Sequence, residues 1–411
     1  MATPPLQPGH HVQLLLGAEA FFPEVVRVID QCAHEVRMET YIFDVVGKGV
    51  LVAETLERAA QRGVAVYLVI DGAGTPVLPP EWVARFNAAG VLWRIYSPLG
   101  RIGLLMPDRW RRMHRKLCVV DGLVAFCGGI NVLDDFYDPN HGVLELPRLD
   151  FHVSVTGPLV QDVHAATAQF WWRLQALRQV REIDFSASWH SLQQALKQAR
   201  HSRDPSRRDV LALPTSRDST GAMAALVLRD NLRNRTRIER AYRQAIGEAR
   251  EEIIIANAYF LPGRKLRKGL IHAAQRGVKV RLLLQGRYEY FMQFHAARPV
   301  YGALLKAGVE IHEYAVSFLH AKVAVVDGRW ATVGSSNLDP LSLLLAREAN
   351  VVIEDIAFAQ NLRTQLENAI ANGGTLVDAL AFANRPWRQR LLDRLAFGVM
   401  RLILYVTGRR Y

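Results

Sequence analysis

The chain has few cysteines and lacks any long apolar run. Three cysteines, Cys32, Cys118 and Cys127, occur in 411 residues, an odd number without zinc-ligand spacing. This favours a reducing compartment over a disulfide-stabilised secreted fold. No apolar run of about 20 residues is present, so we expect no transmembrane helix. The amino terminus lacks the basic and apolar regions of a signal peptide, and we expect none.

Acidic residues are also fewer than basic residues. Lys and Arg total 51 against 39 Asp and Glu, which gives a formal net charge of +12. An excess of positive charge favours an anionic partner, and both nucleic acid and anionic lipid qualify. Half of the residues are hydrophobic, which is an ordinary globular composition, and the length is sufficient for two or three domains.

A short motif occurs twice with identical offsets. The first copy reads His-Arg-Lys-Leu-Cys-Val-Val-Asp at 114–121, followed by Gly-Gly-Ile-Asn at 128–131. The second reads His-Ala-Lys-Val-Ala-Val-Val-Asp at 320–327, followed by Gly-Ser-Ser-Asn at 334–337. A lone His-x-Lys is most often a solvated strand face, whereas two complete copies with equal offsets are a specific signal.

Each copy predicts a β-hairpin that presents a histidine and a lysine together. The apolar, β-branched run before Asp-Gly predicts a strand, and Asp-Gly predicts the turn that follows it. Residues i and i+2 of a strand lie on the same face. We therefore expect His114 to point with Lys116, and His320 with Lys322.

The chemistry of each copy suits a phosphate. An imidazole, an ammonium group and nearby hydrogen-bond donors can stabilise a phosphoryl oxyanion. The donors expected after the returning strands are Asn131 in the first copy, and Ser336 and Asn337 in the second. Asp121 and Asp327 complete the two catalytic motifs, but they lie at the turns, an odd number of residues from the His-Lys pair. We expect them to hold the hairpin or neutralise a base rather than carry protons.

This pattern resembles the phospholipase D superfamily, whose motif is named for its His, Lys and Asp. The resemblance implies one active site built from two motifs across a pseudo-two-fold axis. One histidine attacks phosphorus to give a phosphohistidine, and the other protonates the leaving alcohol and then activates the incoming one. By analogy with two-motif relatives, His114 is the nucleophile and His320 the acid and base, although the two motifs are too alike to decide. The scheme needs no cofactor and no metal, and no metal-ligand cluster of Cys, His and carboxylates is evident in the sequence.

The resemblance also implies a carboxylate after each motif that orients a histidine. Asp150 follows the first motif and Glu348 the second, and each lies before a further predicted strand. In the superfamily such a carboxylate hydrogen-bonds its motif histidine and fixes the tautomer. Glu348 lies at a typical offset. Asp150 comes later because residues 134–146 intervene, and strand-end solvation or a salt bridge is the alternative interpretation for it.

Hydrophobic periodicity predicts an α/β fold for both halves of the chain. The predicted strands are 12–16, 36–43, 64–71 and 91–96 in the first half, and 225–229, 252–259, 278–285 and 309–314 in the second. Helices are predicted between them, including 49–61 and 80–89. Ala-Ala-Gln-Arg-Gly-Val at 59–64 returns at 273–278. We therefore expect two duplicated phospholipase D-like α/β domains with mixed, largely parallel sheets.

The remaining segments complete the predicted organisation. The two domains are predicted at 1–180 and 221–375, with a basic linker at 181–220 and an amphipathic basic tail at 376–411. Arginines among Trp, Phe and Leu in the tail suit a helix in the headgroup zone of a membrane, and a packed final helix is the alternative. An insert at 97–113, which the second half lacks, mixes arginines with apolar residues and is a second candidate for membrane contact.

Within the superfamily, the residues around the motifs resemble bacterial cardiolipin synthases of the branch without N-terminal transmembrane helices. The segments that carry this resemblance are Gly334–Ser342, Glu348–Asn350, Ala256–Phe260 and Arg112–Lys116. It implies phosphatidyl transfer between two phosphatidylglycerol molecules, giving cardiolipin and glycerol, at the cytoplasmic face of the bacterial inner membrane. The partners are then anionic phospholipids and a membrane surface, with no nucleic acid. Transfer or hydrolysis with another lipid or alcohol, and a nucleic-acid phosphodiesterase, stay open as alternatives, and the oligomeric state is undetermined.

Overall fold

The computed structural model describes residues 3–100, 110–138, 141–181, 221–230, 234–287, 291–339 and 346–406. All but the first residue of the predicted linker at 181–220, and the middle of the 97–113 insert, lie outside these residues. The chain separates into two compact units, here named by the motif that each contains. The first-motif unit comprises Pro5–Asp134 and His152–Leu226, and the second-motif unit comprises Met1–Pro4, Asp135–Phe151 and Val227–Tyr411. The domain boundaries expected from composition stay a prediction.

Strands and helices alternate along most of the described chain. The strands are β1 (Gln7–Leu16), β2 (Glu35–Thr40), β3 (Ala65–Asp71), β4 (Leu92–Tyr96), β5 (Arg112–Met113), β6 (Lys116–Val120), β7 (Val124–Gly128), β8 (Tyr137–Asp138), β9 (Gly142–Val143), β10 (Phe151–Thr156), β11 (Ala222–Arg229), β12 (Glu252–Asn257), β13 (Lys279–Gln285), β14 (Glu310–Tyr314), β15 (Lys322–Val326), β16 (Trp330–Gly334), β17 (Ala346–Glu354) and β18 (Gly374–Leu376). The helices are α1 (Gly17–Asp30), α2 (Gly49–Gln61), α3 (Pro80–Ala89), α4 (Leu159–Arg181), α5 (Arg237–Glu248), α6 (Arg264–Gln275), α7 (Phe291–Lys306), α8 (Ile356–Gly373), α9 (Ala379–Ala383) and α10 (Trp387–Val406). The predicted α/β fold is confirmed.

The sheet of the first-motif unit has a parallel part and an antiparallel part. β2, β3 and β4 run parallel to one another because a helix connects each of them to the next. β6 pairs antiparallel with β2 and with β7, and β7 pairs antiparallel with β10. Apolar residues of α1, α2 and α3 pack on this sheet in one core, with Phe22, Leu56 and Phe86 fully buried. α4 packs against β2, β6 and β7.

The second-motif unit repeats this arrangement strand for strand. β12, β13 and β14 are parallel, β15 pairs antiparallel with β12 and β16, and β16 pairs antiparallel with β17. The strand β18 adds an antiparallel edge next to β14. The repeated pairing supports the duplication that the recurring sequence words predict.

The two motif hairpins turn at Asp-Gly, as predicted. Asp121 and Gly122 have φ angles of 51° and 67°, and Asp327 and Gly328 have φ angles of 50° and 57°. A type I′ turn requires positive φ at both central residues, and this favours Asp or Asn followed by Gly. Each motif therefore begins on one strand of a tight hairpin and ends on the other.

The final helix packs on the second-motif unit through a buried acidic residue. Asp393 of α10 is 3% exposed, and its Oδ1 lies 2.7 Å from Nδ1 of His295 on α7. Arg385 donates to the other carboxylate oxygen at 3.1 Å, and Ala396 and Met400 are buried on the same face. None of the described helices is long and apolar enough to cross a membrane.

A buried histidine lies beside the first hairpin, on the strand that pairs with β7. His152 on β10 is 1% exposed, is opposite Gly128, and stacks on Phe21 with ring centroids 4.2 Å apart. Burial, together with the charge of Lys116, lowers the pKa of His152 from 6.5 to about 3. The imidazole is therefore neutral in the folded protein near neutral pH.

We predict that mild acid destabilises the protein through His152. Between pH 6.5 and about 3 the unfolded chain binds a proton at this residue and the folded chain does not. Stability is therefore lost as the pH falls, by about 1.4 kcal/mol per pH unit. In denaturant titrations between pH 7 and pH 4, the free energy of unfolding should fall less steeply with decreasing pH for His152→Leu than for the wild type. His11→Leu, which removes an exposed histidine, should keep the wild-type slope; an unchanged slope in His152→Leu would contradict the prediction.

Candidate active site

The first motif gathers a histidine, a lysine and a tyrosine at the start of β6. The His114 ring makes an edge contact with the Tyr41 ring, with centroids 4.9 Å apart. Lys116 is 2% exposed, its Nζ lies 5.5 Å from the Tyr41 centroid, and it donates to the His114 carbonyl oxygen at 2.8 Å. This hydrogen bond joins the buried ammonium group of Lys116 to the backbone of His114, the residue that the strand pattern predicts on the same face.

A buried ion pair that the sequence interpretation missed supports this motif. Arg115 is 5% exposed and Glu39 on β2 is 2% exposed, and they form a two-point contact with Nη2 donating to Oε1 at 2.8 Å. Glu39 lies opposite Leu117 in the pairing of β2 with β6. Breaking such a pair leaves a buried charge unpaired, which is strongly unfavourable. The sequence did contain a signal for this pair. Glu39 lies within the predicted strand 36–43, whose apolar neighbours indicate a position inside the sheet.

Asp71 holds the residue that precedes the histidine of the first motif. Its carboxylate is fully buried at the end of β3 and accepts from the Met113 N–H at 2.6 Å and from Arg112 Nη1 at 3.0 Å. Burial raises the pKa of Asp71, and Arg112 and the backbone N–H groups oppose that effect. The contacts fix the backbone on the amino-terminal side of His114.

The second motif is held by a carboxylate from the segment Asp135–Phe151. Nδ1 of His320 lies 2.6 Å from Oδ2 of Asp150, which is 2% exposed. The backbone reinforces this contact, since the Leu149 N–H donates to the Phe318 carbonyl and the His320 N–H donates to the Leu149 carbonyl, each at 2.9 Å. A carboxylate on Nδ1 fixes the ring orientation and the tautomer, so Nε2 is the nitrogen suited to chemistry.

This pairing corrects the expected partner of Asp150. Asp150 follows the first motif in the chain, and the superfamily pattern led us to expect a hydrogen bond with the histidine of that motif, His114. It pairs with His320 because Asp135–Phe151 leaves the sheet after β7 and folds with the second-motif unit. Residues 134–146 separate Asp150 from the first motif, and this separation made Asp150 a weak candidate from the sequence. They give the segment enough length to leave the sheet, and they include the small hairpin of β8 and β9.

The lysine and the glutamate of the second half are fully buried. Lys322 is 0% exposed and donates through Nζ to the His320 carbonyl oxygen, as its counterpart does in the first motif. Glu348 on β17 is also 0% exposed, and it accepts from the Ser335 hydroxyl at 2.5 Å. A histidine-orienting role for Glu348 stays a prediction.

The predicted phosphate-binding side chains lie where the returning strands end. Asn131 is 6% exposed, and its Oδ1 accepts from the Ile42 N–H at 3.1 Å. Ser336 and Asn337 are 0% and 2% exposed after β16. Oδ1 of Asn337 is buried and has no hydrogen-bond partner among the residues that the structure describes. Their role toward phosphate stays a prediction.

The two motif aspartates connect each hairpin turn to the strand beside it. Asp121 accepts from the N–H groups of Ala33, His34 and Glu35, and Asp327 accepts from those of Arg250, Glu251 and Glu252. Burial opposes ionisation at both sites, but these backbone hydrogen bonds lower the pKa of Asp121 and of Asp327. An ionised carboxylate that accepts three N–H groups is suited to fixing the turn.

Both motifs present organic side chains that are suited to phosphoryl chemistry. Within the described ranges, no three His, Cys, Asp or Glu residues are grouped so that they could hold a metal ion. An imidazole with a fixed tautomer, a buried ammonium and a buried amide are suited to covalent transfer of a phosphoryl group.

Comparisons with known proteins place the chain among lipid enzymes. The model of a family described as "Cardiolipin synthase, PLD-like domain" matches residues 25–144 and 242–370. Cardiolipin synthase B of Escherichia coli strain K12 is 37% identical over 97% of this chain and 90% of the relative. Cardiolipin synthase A of Erwinia tasmaniensis is 30% identical over 95% of this chain and 75% of the relative.

Solved structures with low sequence identity share the fold. A phosphatidylserine synthase from Haemophilus influenzae superposes with a TM-score of 0.64 at 12% identity and covers 97% of this chain and 96% of its own. A polyphosphate kinase from Porphyromonas gingivalis gives a TM-score of 0.55 at 12% identity, over 95% of this chain and 53% of its own. At this level of sequence identity, these similarities support the fold alone and give no information about substrate or residue roles.

We predict that Asp150→Asn lowers turnover by roughly 100-fold or more, because an amide cannot hold the tautomer of His320 as a carboxylate does. The change keeps the side-chain size, so the melting temperature should shift little. Asp138→Asn is the matched control in the same excursion, where Asp138 contacts His141 and Arg148. A fall in turnover of the same size in both variants would trace the effect to a loosened segment rather than to the His320 contact.

Proposed function

Because this chain belongs to the cardiolipin synthase family of the phospholipase D superfamily, we propose that it joins two phosphatidylglycerol molecules into cardiolipin and releases glycerol. It is a phosphatidyltransferase of that family. The observation that carries the proposed mechanism is the second motif, in which His320 is oriented by a buried carboxylate. Two complete motifs supply the two histidines that a two-step transfer requires.

In the first step, His114 attacks the phosphorus of the donor lipid. A nitrogen–phosphorus bond forms, the phosphorus–oxygen bond to glycerol breaks, and the departing glycerol oxygen takes a proton from His320. The Asp150 carboxylate stabilises the charged form of His320 before that proton leaves. The product of this step is a phosphatidyl group on His114.

In the second step, the hydroxyl group of a second lipid replaces glycerol. His320, now neutral, accepts the hydroxyl proton while the oxygen attacks phosphorus and the bond to His114 breaks. His114 and His320 return to their starting states, so the cycle is balanced. The ammonium groups of Lys116 and Lys322, with the amides of Asn131 and Asn337, stabilise the charge on the phosphoryl oxygens during both steps.

The roles of the two histidines predict different outcomes with an activated donor. A phosphatidyl ester of p-nitrophenol has a leaving group that needs no proton. His320→Ala should therefore release about one equivalent of p-nitrophenol and accumulate phosphohistidine, since the second step lacks its base. His114→Ala should give no burst, and both variants should lose turnover of phosphatidylglycerol.

An exposed histidine provides the control for this experiment. His272→Ala on α6 should behave as the wild type in both assays. Mapping of the adduct by mass spectrometry identifies the nucleophile. A covalent adduct on His320 in the wild type would reverse the two roles.

We also propose that α10 lies on the surface of an anionic membrane, at the cytoplasmic face of the inner membrane. Trp387, Leu391, Leu395 and Val399 follow one another at intervals of four residues along one helical stripe, and they are 64%, 47%, 58% and 48% exposed. The opposite face packs on α7. The helix is therefore packed and also keeps an apolar stripe exposed, which combines the two alternatives considered from the sequence.

Positive charge accompanies this stripe. Arg388, Arg390 and Arg394 are exposed on the same helix. Each arginine beside an anionic lipid surface gains on the order of 1 kcal/mol, and the apolar stripe gains by entering the acyl boundary. The lipid substrates proposed above lie in such a surface, so attachment through α10 would bring the enzyme to them.

We predict that replacing Leu391, Leu395 and Val399 together with Ser weakens binding to vesicles that contain phosphatidylglycerol by about tenfold or more, because three half-exposed apolar side chains are lost from the contact. Co-sedimentation at constant salt measures the binding. Turnover of short-chain, monomeric phosphatidylglycerol should persist, because neither motif is changed.

The chain offers a matched control for these substitutions. Leu51, Leu92 and Val77 are exposed apolar residues of the first-motif unit, at 47%, 44% and 72%. Their triple replacement with Ser should leave vesicle binding unchanged. Equal loss in both triple variants, or no loss in the α10 variant, would contradict the proposed attachment.

A further inference from the structure

A pocket lies at the carboxyl ends of β12 and β13, next to α7. It is partly open, and its empty space of about 420 Å³ includes solvent at the mouth. Aromatic side chains form much of its wall, including Tyr259, Phe294 and Tyr301. The polar side chains that line it are Gln285, Arg287 and Arg298. The combination suits a small polar group that is attached to an anion.

The pocket wall is hydrogen-bonded to the chain on both sides of His320. Oε1 of Gln285 accepts from the Leu319 N–H at 3.3 Å. The Ala258 N–H donates to the Ala321 carbonyl oxygen at 3.0 Å. A ligand in the pocket would therefore lie beside the second motif.

The two halves differ at the residue that borders the pocket. Asp71 and Gln285 are the last residues of β3 and β13, and each accepts from the N–H that precedes its motif histidine, that of Met113 or of Leu319. Asp71 also accepts from Arg112. The amide nitrogen of Gln285, by contrast, is buried and has no hydrogen-bond partner within the described ranges. A buried donor of this kind is unfavourable unless a ligand supplies an acceptor.

The two arginines supply fixed positive charge. Arg298 pairs with Glu313 at 2.8 Å and lies 4.3 Å from the Phe294 ring. Arg287 donates to the carbonyl oxygens of Ala315 and Val316 at 2.9 and 2.8 Å. Both guanidinium groups are therefore held in place before a ligand binds. The partners of Arg287 are neutral carbonyl oxygens, so its charge favours an anion nearby without an added ordering cost, whereas Glu313 compensates the charge of Arg298.

We propose that this pocket binds the glycerol headgroup of the lipid that accepts the phosphatidyl group. Nε2 of Gln285 donates to the oxygen of the headgroup hydroxyl that does not react, and the arginines lie on the side of the acceptor phosphate. This assignment rests on the phosphatidyl transfer proposed above. A bound acceptor competes with water for the phosphohistidine, so the pocket sets the ratio of transfer to hydrolysis.

The test is Gln285→Glu in the full-length protein. The carboxylate keeps an oxygen for the Leu319 N–H but removes the amide donor. With phosphatidylglycerol in mixed micelles, the assay measures cardiolipin for transfer, phosphatidic acid for hydrolysis and glycerol for total cleavage. We expect the ratio of cardiolipin to phosphatidic acid to fall by about tenfold, with glycerol release within about twofold of the wild type.

A second variant tests the pocket without changing Gln285. Ala297 lines the pocket from α7, and Ala297→Phe would occupy part of it. The same fall in the product ratio is expected. The control is Gln275→Glu, the same substitution at the exposed end of α6, which should leave the ratio unchanged.

The outcomes separate this inference from the proposed function. If the wild type makes cardiolipin and neither variant changes the product ratio, the pocket assignment is wrong and the transfer reaction stands. An equal fall in cardiolipin and glycerol release would place the donor lipid or a structural role at Gln285, and would also overturn the assignment. If the wild type releases phosphatidic acid and no cardiolipin, the transfer itself is wrong, and the inference falls with it.

Discussion

The hydrogen bond between Asp150 and His320 is the contact on which the proposed site depends most. It joins residues 170 positions apart at 2.6 Å, and it requires Asp135–Phe151 to leave the sheet in which the flanking chain lies. A histidine that alternately gives and accepts a proton needs one ring nitrogen held by a fixed partner. The backbone bonds of Leu149 on either side of the contact then become part of the catalytic geometry.

Buried cations are the second constraint. Lys116 and Lys322 are 2% and 0% exposed, and an ammonium group is expensive to bury unless an anion or several acceptors compensate. Each lysine donates to a carbonyl oxygen of its own motif, and the ammonium group of each would stabilise the charge of a phosphodiester bound beside it. The low pKa of His152 is a consequence, because burial and the nearby Lys116 both disfavour a second positive charge there.

Features that depend on local residues were predictable, and long-range partners were not. α2 and α3 begin and end at the predicted residues, and the Asp-Gly turns have the expected positive φ, because apolar periodicity and turn chemistry act over a few residues. The partner of Asp150 was mistaken because the superfamily pattern suggested a contact within one motif. The attachment of α10 through Asp393 and His295 was equally unpredictable, since nothing local to either residue indicates the other.

The two halves differ at several equivalent buried positions, and these differences suggest a separate role for each half in the proposed reaction. Register places Ala256 at the position of Glu39, and Ala321 takes the place of Arg115, so a buried ion pair in the first half is a pair of buried alanines in the second. Gln285 likewise replaces the buried carboxylate that the first half pairs with an arginine. The charged groups of the first half are thus paired with one another, and in the proposed reaction they hold the nucleophile His114 in place. The second half lacks those charges, receives its carboxylate from Asp135–Phe151, and has a buried amide donor beside a pocket. In the proposed reaction, recognition of the accepting alcohol belongs with the second motif, where His320 removes its proton.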